Sequence, residues 1–276
     1  MKKCNSFRWI LTLSVCTILL FGCSGCTEQE KQTEEQTEFR PQIIVGSDNY
    51  PPFNYEDANG KSAGIDVDLA KEAFDRMGYK AVFTYIDWEE KKQLVENGEI
   101  DCIWGSFSID GREDQYYWTE PYMISHQVVA VRKNSDIYSL SDLEGKRVAV
   151  QSTTKPEEIF TSHTDERIPE LEEIFSLQNR ELIYPFLSKG YADAIAAHET
   201  AILQCMKDYD LEYRILEEPL MTVGLGVAFS KYDDRGLEKE LSEVFEQMRA
   251  DGTMEKILEK YLDCPENYLE VDAYEK

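Results

Sequence analysis

Arg112 ends the run DCIWGSFSIDGR that begins at Asp101, and of the residues in that run it is the best suited to hold an anion. Its guanidinium is a planar fork of five donors that matches a carboxylate. Ser106 and Ser108 add hydroxyls just before it, and Gly105 lets backbone approach a bound molecule closely. The competing reading is an edge loop whose arginine pairs with a nearby acid, because one arginine near serines is an unspecific pattern. Two other stretches bear on the choice. Tyr50, Phe53 and Tyr55 lie in SDNYPPFNYEDANGKSAG, an aromatic loop that offers either a stacking platform or ordinary packing residues. Ser152, Thr153 and Thr154 lead to a helix expected to begin near Pro156, where hydroxyls and helix-start amides form an anion site or merely cap the helix.

These residues need a frame to bring them together, and hydrophobic periodicity supplies one. Ile43 to Gly46, Lys80 to Tyr85, Cys102 to Trp104, Arg147 to Gln151 and Ala192 to Ala196 read as strands, buried on both faces where polar alternation is missing. Between them, Ile65, Leu69, Ala73 and Met77 recur at fourfold spacing in a helix closed by Gly78. Further helices are expected over Asp87–Asn97, with Asp87 and Glu90 as a capping box, and over Gln178–Lys189, Glu199–Lys207, Asp234–Ala250 and Thr253–Tyr261. A second capping box is expected from Ser141 to Glu144. Alternation of strand and helix gives an α/β fold with parallel pairing, in which ligands bind beyond the carboxyl ends of the strands. Extended stretches near residues 123–131 and 220–229 divide the pattern into two α/β lobes joined by a two-strand hinge, with the ligand in the cleft between them.

A net charge of -25 argues against nucleic acid and against polybasic attraction to anionic lipid, though a pocket can be locally positive inside an acidic shell. Metal-ligand spacing, a nucleophile elbow and a phosphate loop are all missing, so no catalytic, metal or cofactor set is expected. Lys2, Lys3 and Arg8 precede an apolar run from Trp9 to Phe21, the pattern of a signal peptide. The run ends in LFGC at Leu20 to Cys23, which resembles the lipobox of bacterial lipoproteins, and this implies lipidation at Cys23. Cys26 is the weaker candidate. Residues 23–41, rich in Glu, Gln, Thr and Lys, read as a disordered tether. Cys26, Cys102, Cys205 and Cys264 are scattered, and no particular bridge is predicted.

Over about residues 42 to 262 the chain resembles the extracellular solute-binding proteins of family 3, the amino-acid receptors of ABC importers. The resemblance is carried by GIDVDL at Gly64 to Leu69, YPPF at Tyr50 to Phe53, NGEID at Asn97 to Asp101 and SFSIDGR at Ser106 to Arg112. TEPY at Thr119 to Tyr122, LEGKRVAVQ at Leu143 to Gln151, KGYADAIAA at Lys189 to Ala197 and DGTMEKI at Asp251 to Ile257 follow in family order. It implies a periplasmic-binding-protein-like fold with a signal peptide over 1–22, one lobe from 42–125 plus 222–276 and the other from 126–221. It also implies roles. Tyr50 stacks on the ligand, Phe53 and Trp88 line its side-chain end, Gly105 to Ser108 contribute carbonyls and hydroxyls, and Arg112 holds the α-carboxylate with Ser152 and Thr153.

Some positions depart from the family pattern. Where an aspartate usually meets the ligand's amine stands His198, with Glu199 next to it as the nearest acid; His198 is otherwise a capping or core histidine. Asp110 and Gly111 replace a threonine and a glutamate, and Lys91 and Lys92 stand where apolar residues are common. The resemblance implies a monomeric, lipid-anchored receptor on the outer face of the cell membrane that passes an amino acid-like solute to an ABC permease and its ATPase. The alternatives are a ligand sensor for a signalling partner and a dehydratase on the same fold, for which Glu199 with His198 is the candidate acid pair.

Overall fold

The computed structural model describes residues 39–271; the expected signal peptide, the lipidation site at Cys23, Cys26 and nearly all of the tether lie outside them. The chain opens with β1 (Gln42–Ser47), a short hairpin of β2 (Tyr55–Glu56) and β3 (Ser62–Ala63), α1 (Ile65–Arg76) and β4 (Lys80–Tyr85). It continues through α2 (Lys91–Glu96), β5 (Cys102–Ile103), β6 (Tyr117–Trp118) and the long β7 (Met123–Arg132). Next come β8 (Arg147–Gln151), α3 (Lys155–Ser162), β9 (Glu173–Leu177), α4 (Ile183–Ser188), β10 (Ala194–His198), α5 (Glu199–Tyr209) and β11 (Tyr213–Ile215). β12 (Met221–Leu225), β13 (Ala228–Phe229), α6 (Leu237–Ala250), α7 (Thr253–Leu258) and α8 (Glu266–Leu269) complete it.

The strands form two sheet lobes of mixed α/β character. One sheet has the order β4-β1-β5-β13-β6, with β1 parallel to both β4 and β5. The other runs β11-β7-β10-β8-β9, with β8 parallel to β9 and β10. β7 pairs with β12 over Met123–Gln127 and with β10 over Gln127–Val131, so the two extended crossings lie side by side as an antiparallel pair. Each sheet has its own apolar filling. Phe74, Trp104, Tyr122 and Phe245 stack against the first, while Val129, Val148, Phe160 and Ala196 pack on the second.

Several local expectations need correction. The helix expected over Asp87–Asn97 begins as a 3₁₀ turn, Trp88–Glu90, and the Asp87 carboxylate accepts from Glu89 N (3.1 Å) rather than boxing with Glu90. The second capping box is Ser139 with Asp142, whose Oδ2 accepts from Ser139 N at 2.9 Å. Gln178–Lys189 is split into a 3₁₀ turn, Arg180–Leu182, and α4. The strand Glu173–Leu177, half-buried at a sheet edge, shows little apolar periodicity in EIFSL and is found only through its pairing with β8. The stretch 221–231 breaks between β12 and β13 at Gly226, where a Cβ would stand 2.8 Å from Ile109 Cδ1. Cys102 and Cys205 are buried free thiols and Cys264 is an exposed one.

Candidate ligand-binding site

The loop after β5 is held from below and from the side. Asp66, in the first turn of α1, is fully buried and accepts from Ser106 N (2.7 Å), Tyr122 Oη (2.8 Å) and Asn54 Nδ2 (3.1 Å). Burial pushes its carboxyl up to about 7, against the pull of those donors. Ser106 takes a left-handed φ of 45°, a strained conformation for serine that the Asp66 contact secures. Gly105 precedes it where a Cβ would meet Ser47 Oγ at 2.8 Å. From the side, Ile109 N donates to Gly224 O (3.0 Å), Gly226 N to Phe107 O (3.0 Å) and Gly224 N to Asp110 Oδ2 (3.2 Å). The fixed loop delivers Arg112, whose side chain is 11% exposed.

Arg112 reaches the second lobe. Its Nη1 donates to Ser108 O (3.3 Å) and its Nη2 to Thr153 O (3.4 Å), and its guanidinium lies 5.3 Å from the Phe107 ring centroid. Its ion pair with Glu158 is long, 4.0 Å, and that acid is half exposed. Burial lowers the Arg112 pKa from its usual value, yet the group remains a cation. Lys91 comes to the same place from α2. It is 6% exposed, and its Nζ donates to Thr153 Oγ1 (2.8 Å) and Trp88 O (2.9 Å) while standing 4.8 Å from the Trp88 ring. Burial, helped by Arg112, holds its pKa down to about 7.

The expected anion contacts of Ser152 and Thr153 are already engaged. Ser152 Oγ donates to Glu89 Oε1 (2.5 Å), and Thr153 N donates to Glu157 Oε2 (2.6 Å) at the start of α3. Thr153 still lines the cavity, at a left-handed φ of 57°, whereas Ser152 turns to Glu89.

At the opposite end Tyr50 lines the cavity, and its hydroxyl accepts from His198 N (3.2 Å). Its ring face is covered by Arg180, whose guanidinium lies 3.3 Å from the ring centroid. Arg180 Nε also pairs with Asp48 Oδ2 at 3.2 Å, an oxygen shared with Gln151 Nε2 at 2.9 Å. Burial opposes the Arg180 charge, but Asp48 and Tyr50 outweigh it and raise its pKa. Phe53 packs behind Tyr50 and His198, at 5.5 and 5.7 Å between ring centroids, and does not line the cavity. His198 lines it between Ser125 Oγ (2.8 Å) and Gln127 Nε2 (2.9 Å), and burial with the nearby Arg180 holds its pKa down at about 3, so it is neutral. Glu199 is half-buried as the first residue of α5, close enough to Tyr268 to act on it electrostatically, and is outside the cavity.

The cavity has about 30 Å³ of solvent-accessible space in this structure, less than a small-molecule site takes up. Trp88, Ser106, Ser108, Arg112, Thr153 and His198 line it together with Tyr50, whereas Phe53, Gly105, Ser152 and Glu199 do not. Arg112, Lys155 and Arg180 contribute charge to the lining, and no aspartate or glutamate does. Four lining side chains carry buried polar atoms without a hydrogen-bond partner: Trp88 Nε1, Ser106 Oγ, Gln127 Oε1 and Gln151 Oε1. Buried polar atoms in folded proteins are nearly always satisfied, so these four are open to a polar guest or to water. Sequence reasoning missed Arg180, Lys155, Gln127 and Gln151 altogether. It singled out Asp66 and Lys91 only as letters of a motif and a departure from one. No metal-binding cluster is present among the described residues, nor any helix long and apolar enough to cross a membrane.

Comparison with known proteins gives a consistent answer. The model of the bacterial extracellular solute-binding proteins, family 3, matches residues 43–263. The histidine-binding periplasmic protein of Salmonella typhimurium is 34% identical over 231 residues, covering 80% of this chain and 87% of that one. The structure of an ancestral arginine-binding protein bound to arginine superposes with a TM-score of 0.73 at 29% identity, covering 81% of this chain and 99% of that one. An ancestral amino acid-binding protein, a precursor of cyclohexadienyl dehydratase, superposes with a TM-score of 0.70 at 28% identity, covering 80% of this chain and 94% of that one.

Proposed function

The chain belongs to the bacterial extracellular solute-binding proteins of family 3, and on that premise we propose that it captures an amino acid-like solute and delivers it to an ABC importer. The observation that carries the reading is Arg112, a largely buried cation at the cavity wall whose ion pair is a long contact to a half-exposed acid. A buried charge without a close counter-charge is costly. A ligand carboxylate relieves that cost. The relatives that bind histidine and arginine support an amino acid as the ligand class.

In this reading the α-carboxylate lies on Arg112 beside Thr153, Ser106 and Ser108 supply further polar contacts, and Tyr50 and Trp88 form walls. The two lobes comprise residues 42–125 plus 222–276 and residues 126–221. Ligand contacts available only when the lobes meet shift the population towards the closed form. Lipid on Cys23 holds the receptor to the membrane. Turnover by a dehydratase needs a proton donor facing the cavity. The position of Glu199 outside the lining and the neutral His198 favour binding without chemistry.

Thermal-shift screening of the purified protein against the amino acids tests this, because a ligand in excess of its Kd raises apparent stability by RT ln(1 + [L]/Kd). A shift with one or a few amino acids that is lost in Arg112→Ala is the expected result. Indifference to all of them overturns the reading. For the anchor, labelled fatty acid should be incorporated by cells making the native chain and not by those making Cys23→Ala.

A further inference from the structure

We infer that Arg180 sets the specificity of the cleft: its guanidinium lies on Tyr50 and pairs with Asp48, the two groups that would hold a cationic ligand side chain, so the site rejects amino acids with a cationic side chain and takes one with an uncharged side chain. The inference rests on the amino-acid receptor reading and narrows it to a ligand class. A cationic side chain is held in a buried site by an aromatic face and a counter-carboxylate. Here the chain supplies its own cation to both, 3.3 Å from the Tyr50 centroid and 3.2 Å from Asp48 Oδ2. Arg180 lines the cavity and Asp48 does not, so a ligand meets the guanidinium and not the carboxylate.

The turn that carries Arg180 is fixed across the cleft. Gln178 Nε2 donates to Asp87 Oδ2, Arg180 Nε to Asp48 Oδ2 and Asn49 Nδ2 to Glu181 Oε1, while Asn179 Oδ1 accepts from Glu181 N at 2.8 Å within the turn. The Arg180 side chain is 8% exposed, and little water is left to screen it from a second cation. Its field already reaches His198, which burial first and then Arg180 keep neutral. No aspartate or glutamate lines the cavity to offset the repulsion. An acidic side chain gains nothing in exchange, because Asp48 matches Arg180 and Glu158 spends both oxygens on Lys155 Nζ at 2.8 Å. Gln127 Oε1 and Gln151 Oε1, buried without partners, remain as acceptors for the ligand's own N–H groups.

The test is a calorimetric panel of the common amino acids with ornithine, diaminobutyrate and citrulline, run on the native protein and on Arg180→Met, which keeps an apolar stem and removes the charge. Ornithine with glutamine, diaminobutyrate with asparagine and arginine with citrulline form pairs matched in length that differ in charge. The tightest native ligand should have an uncharged side chain, and lysine and the cationic member of each pair should bind about tenfold or more weaker than it does. Arg180→Met should raise the affinity for the cationic members about tenfold or more relative to their neutral partners, because the Tyr50 face and Asp48 become open to them; adding Asp48→Asn should cancel that gain. A tightest native ligand with a cationic or acidic side chain would overturn the inference while leaving the receptor reading intact; no binding by any compound would remove both. An unchanged ratio in a folded Arg180→Met protein, or a gain that survives Asp48→Asn, would overturn the role of Arg180, and if the single variant fails to fold the native panel decides.

Discussion

Two arginines, one at each end of the cavity, are both largely shielded from solvent and both lie over an aromatic ring, yet their electrostatic states are opposite. Arg180 has a close carboxylate in Asp48 and a pKa raised above its usual value; Arg112 has a 4.0 Å contact to a half-exposed acid and a pKa lowered by burial. A buried cation already matched within the chain contributes to holding the lobes together. One left short of a partner costs folding energy and gains from a ligand. Residue type is thus a poor guide to function at this site, and the state of the counter-charge a good one.

The sharpest way to break this comparison is to remove each arginine in turn. Arg180→Ala leaves Asp48 buried without its partner and should destabilise the protein by about 3 to 5 kcal/mol in chemical denaturation. Arg112→Ala should leave stability nearly unchanged and instead cost on the order of 2 to 5 kcal/mol of ligand binding, read by calorimetry. If the two variants exchange these signatures, the assignment of roles is wrong. A smaller effect is expected from Asp66→Ala, which strands Ser106 N–H and the Tyr122 hydroxyl. Stability should fall by about 2 kcal/mol, and binding should weaken as well because the loop that carries Arg112 loses its support.

The pH dependence offers finer tests. His198 is neutral in the fold with a pKa held down at about 3, but protonates below about 6.5 when unfolded. The unfolded state then binds the extra proton, so this group makes stability fall as pH drops from about 6.5 towards 3. His198→Gln should flatten that part of the profile. Lys91 works through binding instead. Its pKa is held at about 7 by burial and by Arg112, with Arg180 also lowering it and Asp48 and Glu89 raising it, and a bound anion must raise it. Ligand binding near pH 8 should therefore take up a proton, visible as a dependence of the calorimetric heat on buffer ionisation enthalpy, and Lys91→Met should abolish it.

The Arg112 end was largely legible in the sequence, because Gly105, Ser106, Ser108 and Arg112 are neighbours in the chain and follow a recognisable buried strand. The Arg180 end was not. Arg180 lies in a stretch whose apolar spacing reads as continuous helix, and nothing local indicates that a 3₁₀ turn will aim it across the cleft at Asp48, 132 residues away. Glu199 illustrates the same limit. It stands beside His198 in the sequence, but the turn from β10 into α5 sends the two side chains to different surroundings. Lys91 could have been found earlier, since a lysine three residues after Trp88 at the start of a short helix places its charge back over that ring.

The most direct measurement is NMR of the arginine side-chain Nε–H groups during titration with the amino acid that gives the largest thermal shift. The Arg112 resonance should move strongly with ligand concentration while that of Arg180, saturated by Asp48, stays nearly fixed. Movement of Arg180 with Arg112 unchanged would contradict the account and place the ligand's carboxylate at the other end of the cavity.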